Sequence, residues 1–524
     1  MSGPSPAGTE AGAASLRPIG AIRRRLLLGF ALAAFALHLI VIGRYGYFRD
    51  ELYYLVCARH LAWGYVDQPP LSLAILALVV RTLGESLWAI RLLPALAGAA
   101  TVALTGAMAG RMGGGSYAQA MACLATLLAP AFLGSDHFFS MNAFDLLLWA
   151  WAELLLIRIL GEGRPRDWVW LGLAMGLGLL NKISMLWFGA GLLAGLGLTP
   201  QRRTLATPWP YLAGLLAAIL FLPHVLWQIA HGWPTLEFMR NATRHKMVEV
   251  GGLEFVAKQL LEMGPGNALV WVPGLAVALF GRAARPWRLL GILYLVVALL
   301  LAAGGRSRAS YLAAAYPMLL ALGGVALERG LALRPWRRLR APAFATVLLL
   351  GVVTLPLALP ILPVESFIRY QAALGLQPMT EEHLRVGPLP QHYADMFGWE
   401  EMVKEVAKAW RFLTPVERRH AVVFGQNYGE AGAVDVLGRK YGLPHAASGH
   451  NSYWLWGWGD FDGSVCIIIG GDRADNAEWF EQVEQVGTID ARYAMPYERG
   501  LGVFIGRRLK MSPEQAWPRL RLFI

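Results

Sequence analysis

About eleven apolar runs, each close to the length a helix needs to cross a bilayer, decide what this chain can fold into. They lie near 26–45, 88–110, 116–134, 143–160, 168–181, 183–199, 209–230, 265–281, 287–303, 309–328 and 342–362. In hydrocarbon every backbone N–H and C=O must be satisfied within the protein, so runs of this length span as helices. Composition agrees. Of 524 residues 56% are hydrophobic and only 16% charged, where a soluble protein carries about 25%. The expected fold is mainly α, a polytopic membrane protein.

A net charge of +12 suggests a polyanion partner until the basic residues are located. Arg23-Arg24-Arg25, Arg202-Arg203, Arg282 to Arg288 and Arg334 to Arg340 all fall in short connections between apolar runs. That is the positive-inside pattern, so topology explains the excess and no nucleic-acid partner is expected. The same rule settles the run at 71–83. If it crossed, the later arginine-rich loops would face outward, and it is short for a crossing. It is therefore an interfacial or re-entrant helix within a long outer loop, 46–87. Residues 1–21 are expected to be a disordered cytoplasmic tail with no cleavable signal, and 22–365 the membrane domain.

Beyond about residue 362 proline and charge rise and no spanning run remains. Val422 to Phe424, Val465 to Ile469 and Gly502 to Ile505 read as buried strands, with helical patterns near 399–411 and 429–440. A soluble α/β domain is expected over 366–524, on the outer side because an odd number of spans precedes it. Cys57, Cys123 and Cys466 are odd in number and far apart, which signals neither a disulfide framework nor a metal site.

The residues that invite chemistry gather in the first outer loop. Asp50 and Glu51 follow the first span directly, and Asp67-Gln68-Pro69-Pro70-Leu71 lies further along. Acids at a membrane surface suit removal of a proton from a substrate held there; Glu51 alone would also serve a helix N-terminus. Tyr53 and Tyr54 offer ring faces suited to sugars. Lys182, between two apolar runs, is costly unless it faces a polar cavity. Arg306, Arg308, Arg240, Arg244, His245 and Lys246 are the other outer cations, and Tyr311 lies near Arg308. His137, beside Asp136, is a candidate metal ligand. Tyr428, His450, Asn451, Tyr453, Trp454, Trp456 and Trp458 form an aromatic-polar group that caps the cavity, binds glycan or simply packs. Gly429-Glu430-Ala431-Gly432 lacks the GK[ST] of a phosphate loop.

These motifs resemble the polyprenyl-phosphate-sugar-dependent glycosyltransferases, the family of protein O-mannosyltransferases and lipid A aminoarabinose transferases. Asp50-Glu51 resembles the Asp-Glu pair of that family's first outer loop, and Asp67 to Leu71 the Glu-Lys-Pro-Pro-Leu motif of the aminoarabinose branch. The resemblance spans roughly 20–365 and implies the GT-C fold. It implies Asp50 as the general base with Glu51 beside it, and Asp67 and Gln68 in the same cavity. In some relatives the acid matching Asp67 helps hold a divalent metal, the one cofactor left open. Gln68 stands where relatives have lysine, so another cation must meet the donor phosphate. Asn142 stands where relatives often have an Asp, and Asp145 follows on the same helical face; either inherits that place. The partners implied are a polyprenyl-phosphate sugar donor, a lipid, glycan or protein acceptor, and the bilayer of a bacterial inner membrane. The rival is a transporter or flippase of lipid-linked sugars, which would carry ionisable groups at mid-membrane on broken helices.

Overall fold

The computed structural model describes residues 21–332, 335–380 and 382–524. The expected tail over 1–20 and the basic residue Arg334 lie outside the described residues. Helices dominate. α1 (Arg24–Val41), α2 (Arg49–Arg59), α3 (Leu71–Leu83), α4 (Leu87–Arg111), α5 (Ser116–Leu127), α6 (Pro130–His137), α7 (Met141–Glu162), α8 (Arg166–Asn181) and α9 (Met185–Leu198) come first. α10 (Trp209–Ala230), α11 (Pro234–Asn241), α12 (Gly252–Met263), α13 (Ala268–Phe280), α14 (Arg288–Ala303), α15 (Pro317–Gly330), α16 (Arg340–Ala358) and α17 (Val364–Ala373) complete the helical half.

Among the described residues, five helical stretches are long and apolar enough to cross a membrane: α1, α4, α10, Arg285–Ala303 with α14, and Trp336–Ala358 with α16. Their outer faces need lipid. On α10, Leu215, Ile219, Leu222 and Leu226 recur on one side and are about half exposed. α3 is short and packs on α2 and α4.

Two spans expected as single helices are broken. The run 116–134 divides into α5 and α6, bent by 58°, and 309–328 into a 3-10 turn at Ala309–Ala315 and α15, bent by 62°. Pro130 and Pro317 explain both breaks, since proline has no N–H to continue a helix and is at home in its first turn. α13 likewise meets α12 at 103°. Polar side chains satisfy the backbone freed at these breaks. Glu153, buried in α7, accepts from the N–H of Met318 at 3.1 Å. Asn267 donates to the carbonyls of Met263 at 2.6 Å and Ala125 at 2.8 Å. Such pairing is what makes interrupted helices tolerable in lipid.

The C-terminal half contains α18 (Gln391–Ala394), α19 (Trp399–Phe412), α20 (Glu417–His420), α21 (Tyr428–Leu437) and α22 (Ser452–Trp456). They accompany a sheet of β1 (Ala421–Gly425), β2 (Ala446–Ala447), β3 (Val465–Ile469), β4 (Phe480–Thr488) and β5 (Gly502–Leu509), in spatial order β2-β1-β3-β5-β4. β1 is parallel to β2 and β3, while β5 is antiparallel to β3 and β4. β1, β3 and β5 match the expected strands. β4 escaped notice because its sequence FEQVEQVGT alternates neither in polarity nor in burial.

This half is docked on α2. Gly432 of α21 lies so close to α2 that a Cβ there would sit 3.0 Å from the backbone of Leu52 and Tyr53. A Cβ at Gly429 would sit 2.6 Å from Cγ of Arg49. The Gly-Glu-Ala-Gly sequence that fails as a phosphate loop is thus a helix-packing surface. Ser452 Oγ accepts from Val66 N at 3.2 Å, and the ring of Trp456 stacks on His60 at 4.5 Å.

Candidate active site

Asp50 occupies the first turn of α2, where a carboxylate is favoured by the helix dipole. Its Oδ1 accepts from the Tyr428 hydroxyl at 2.9 Å and lies 3.5 Å from Arg49 Nε. Its side chain is 26% exposed, and its Oδ2 has no hydrogen-bond partner among the described residues.

Glu51, expected beside Asp50 in the chemistry, is fully buried. Its carboxylate receives Nε and Nη2 of Arg91 at 2.9 and 2.7 Å, Phe48 N at 2.9 Å and Phe139 N at 2.8 Å. Four donors fill both oxygens, leaving nothing to offer a substrate. Arg91 also reaches the carbonyls of Ile42 and Gly46. The pair therefore ties together the ends of α1 and α2, α4 and the entry to α7.

Tyr53 and Tyr54, expected as open ring faces, are buried instead. The docked C-terminal half covers them. Tyr53 lies 4.8 Å from Tyr428 and 6.2 Å from Tyr453. Its hydroxyl donates to Asp67 Oδ1 at 2.9 Å and accepts from Ser452 N at 3.3 Å. Burial pushes the Asp67 carboxyl up to about 6, with the Tyr53 hydrogen bond pulling it back. Asp50 and Lys246 are the charges that act on it. Gln68 is buried and its amide has no partner, so it does not stand in for the lysine of the resembling motif. A folded-state value above 3.8 means that Asp67 contributes most to stability at low pH and loses that contribution as pH rises through 6. Asp67→Asn, which keeps the acceptor for Tyr53, is expected to raise Tm by about 2 °C at pH 8 and by less at pH 5. Thermal unfolding in detergent at the two pH values measures this.

A second group forms where α7, the α8–α9 turn and the 3-10 turn after Arg308 meet. Lys182 Nζ donates to Asn142 Oδ1 at 2.8 Å, lies 3.4 Å from Asp145 Oδ2, and sits 4.7 Å over the Tyr311 ring. Ser184 donates to Asp145 at 2.7 Å. Asn142 and Asp145 thus both hold Lys182. Arg308 and Lys246 both pair with Glu382 Oε1, at 2.6 and 3.6 Å. Burial pushes the Glu382 carboxyl upward, but Lys246, Arg49 and Arg308 hold it below the usual range. The two groups meet through α7: Phe139, Ala143 and Phe144 share one apolar cluster with Tyr53, Tyr54 and Tyr428.

Asp67 and His137 do not converge as metal ligands. His137 is buried with both ring nitrogens unpaired, and its charged neighbours are Arg91, His38 and His392 rather than Asp67. Among the described residues no three His, Cys, Asp or Glu side chains converge to hold a metal ion. Cys57, Cys123 and Cys466 are buried and unbridged.

Residues 67–227 match the family model of dolichyl-phosphate-mannose-protein mannosyltransferases. No curated protein matches the chain by sequence. The fold superposes on the crystal structure of ArnT from Cupriavidus metallidurans bound to undecaprenyl phosphate, with a TM-score of 0.59 at 16% identity over 92% of this chain and 98% of that one. The apo state of the same protein superposes with the same values. The oligosaccharyltransferase of Archaeoglobus fulgidus, tethered with an acceptor peptide, is a looser match: TM-score 0.49 and 13% identity, over 81% of this chain and 64% of that one. The likeness to ArnT covers 92% of the chain, more than its helical part holds, so it extends into the region that carries the sheet. Its resemblance to the polyprenyl-phosphate-sugar glycosyltransferases thus stands, and the chain is a multi-pass membrane protein of the GT-C fold.

Proposed function

We propose that the protein is an inverting glycosyltransferase, moving a sugar from a polyprenyl phosphate to a hydroxyl of a lipid, glycan or protein at the periplasmic face of a bacterial inner membrane. The observation that carries this is Asp50, with one carboxylate oxygen held by Tyr428 and the other unpartnered, on the same structural unit as the Lys182 group. The donor phosphate is already a good leaving group. The acceptor hydroxyl attacks the anomeric carbon on the opposite side, a new C–O bond forms as the C–O bond to phosphate breaks, and the configuration inverts. Asp50 takes the hydroxyl proton. Charge on the departing phosphate must be met by fixed cations. Lys182 has three donors, and Asn142 and Asp145 engage two. That the ArnT crystal structure holds undecaprenyl phosphate supports a carrier lipid of this class.

The test is release of free polyprenyl phosphate from a labelled polyprenyl-phosphate sugar by the protein in liposomes. Release that depends on an added acceptor supports the reading. Movement of intact labelled lipid across the bilayer without cleavage would replace it with a flippase. Within this reading Lys182→Ala is expected to raise KM for the donor about tenfold, the loss of one charge-assisted contact. Initial rates against donor concentration give the value.

A further inference from the structure

The C-terminal domain reaches into the catalytic centre, and the contact is specific. Asn427 caps α21, its Oδ1 accepting from Gly429 N at 2.8 Å and Glu430 N at 3.0 Å. That cap fixes Tyr428 as the first residue of the helix. Gly429 and Gly432 then let α21 approach α2 closely enough for the Tyr428 hydroxyl to reach Asp50. The ring is held on several sides: Tyr53 at 4.8 Å, His450 at 4.7 Å and the Arg49 guanidinium at 5.5 Å. Arg49, the other neighbour of Asp50 Oδ1, is itself gripped from the C-terminal side. Its N–H donates to the Asp395 carbonyl at 3.0 Å and its Nη1 to the Tyr497 hydroxyl at 2.9 Å. Both contacts that orient Asp50 are therefore set by residues more than 340 positions away in sequence.

We infer that Tyr428 is a positioning residue for transfer: its hydroxyl fixes Asp50 Oδ1, so that Oδ2 is presented to the acceptor hydroxyl. This deepens the glycosyltransferase reading and rests on it. Removing the hydroxyl frees the Asp50 rotamer. Other charges near Asp50 are Arg49, Asp67, Lys246 and Asp395. A Tyr428→Phe substitution leaves all of them in place.

The experiment is the rate of transfer by full-length Tyr428→Phe in liposomes, alongside Asp50→Asn and Gly432→Val. Tyr428→Phe is expected to lower kcat about tenfold with donor KM and the thermal transition unchanged. Gly432→Val, which pushes α21 off α2 while keeping the hydroxyl, should reproduce the fall in kcat. If Asp50→Asn abolishes transfer while Tyr428→Phe leaves kcat untouched, the positioning role is overturned and the base reading survives. A fall in kcat that comes with an equally lowered thermal transition reduces Tyr428 to packing, which also overturns it. Full transfer by Asp50→Asn would instead remove the base itself.

Discussion

Asp50→Asn is expected to lower sugar transfer about 10³-fold, within the range a positioned general base supplies, while the protein folds normally. The asparagine amide keeps an oxygen where Oδ1 now accepts from Tyr428, and the position is partly exposed, so neither packing nor the α2–α21 contact is lost. What disappears is the capacity to take a proton. The loss should fall in kcat, because the proposed mechanism has the donor held by Lys182 on another element. Transfer rates with saturating donor, together with an unchanged thermal transition, check it. An asparagine variant that transfers at the wild-type rate removes Asp50 from the mechanism.

Glu51→Ala, one residue along, is expected to fail differently. Both Glu51 and Arg91 are fully buried, and removing one partner leaves the other as an uncompensated charge. Breaking such a pair costs about 3–5 kcal/mol, a large part of the stability of an ordinary domain. The orphaned N–H groups of Phe48 and Phe139 add to the loss. Little folded protein should be recovered from either Glu51→Ala or Arg91→Met, whereas the double change to methionine should restore part of the yield, because it leaves no unpaired charge. Size-exclusion profiles and thermal transitions of the three variants decide the matter. A Glu51→Gln protein with the wild-type transition and no transfer would return Glu51 to the chemistry.

The contrast between these neighbours shows how far sequence reading reaches. That Asp50 and Glu51 begin a helix after the first span was legible, because position in the chain and local helix physics decide it. That one is partly exposed and the other meets a buried arginine was not, since Arg91 is 40 residues away and marked only by lying inside an apolar run. That run was itself a signal, as an arginine in a span requires a partner. Asn142, Asp145, Lys182 and Tyr311 were each named from sequence, and the fold unites them. Their convergence depends on helix crossings that no local pattern encodes. The burial of Tyr53 and Tyr54 went unseen for the same reason: the surface that covers them lies in a different domain. Pro130 and Pro317 were plain in the sequence, yet the apolar runs around them were continuous enough to hide the breaks.

The glycine contact between α2 and α21 has a consequence for recombination. A foreign C-terminal domain joined to this membrane half would need side-chain-free positions at the same two points of its first helix, and a tyrosine directly before them. Exchanging the C-terminal regions of two proteins of this fold should therefore yield unstable hybrids unless residues 49–59 travel with the graft. Natural divergence faces the same coupling, so substitutions in these distant segments are expected to be inherited together.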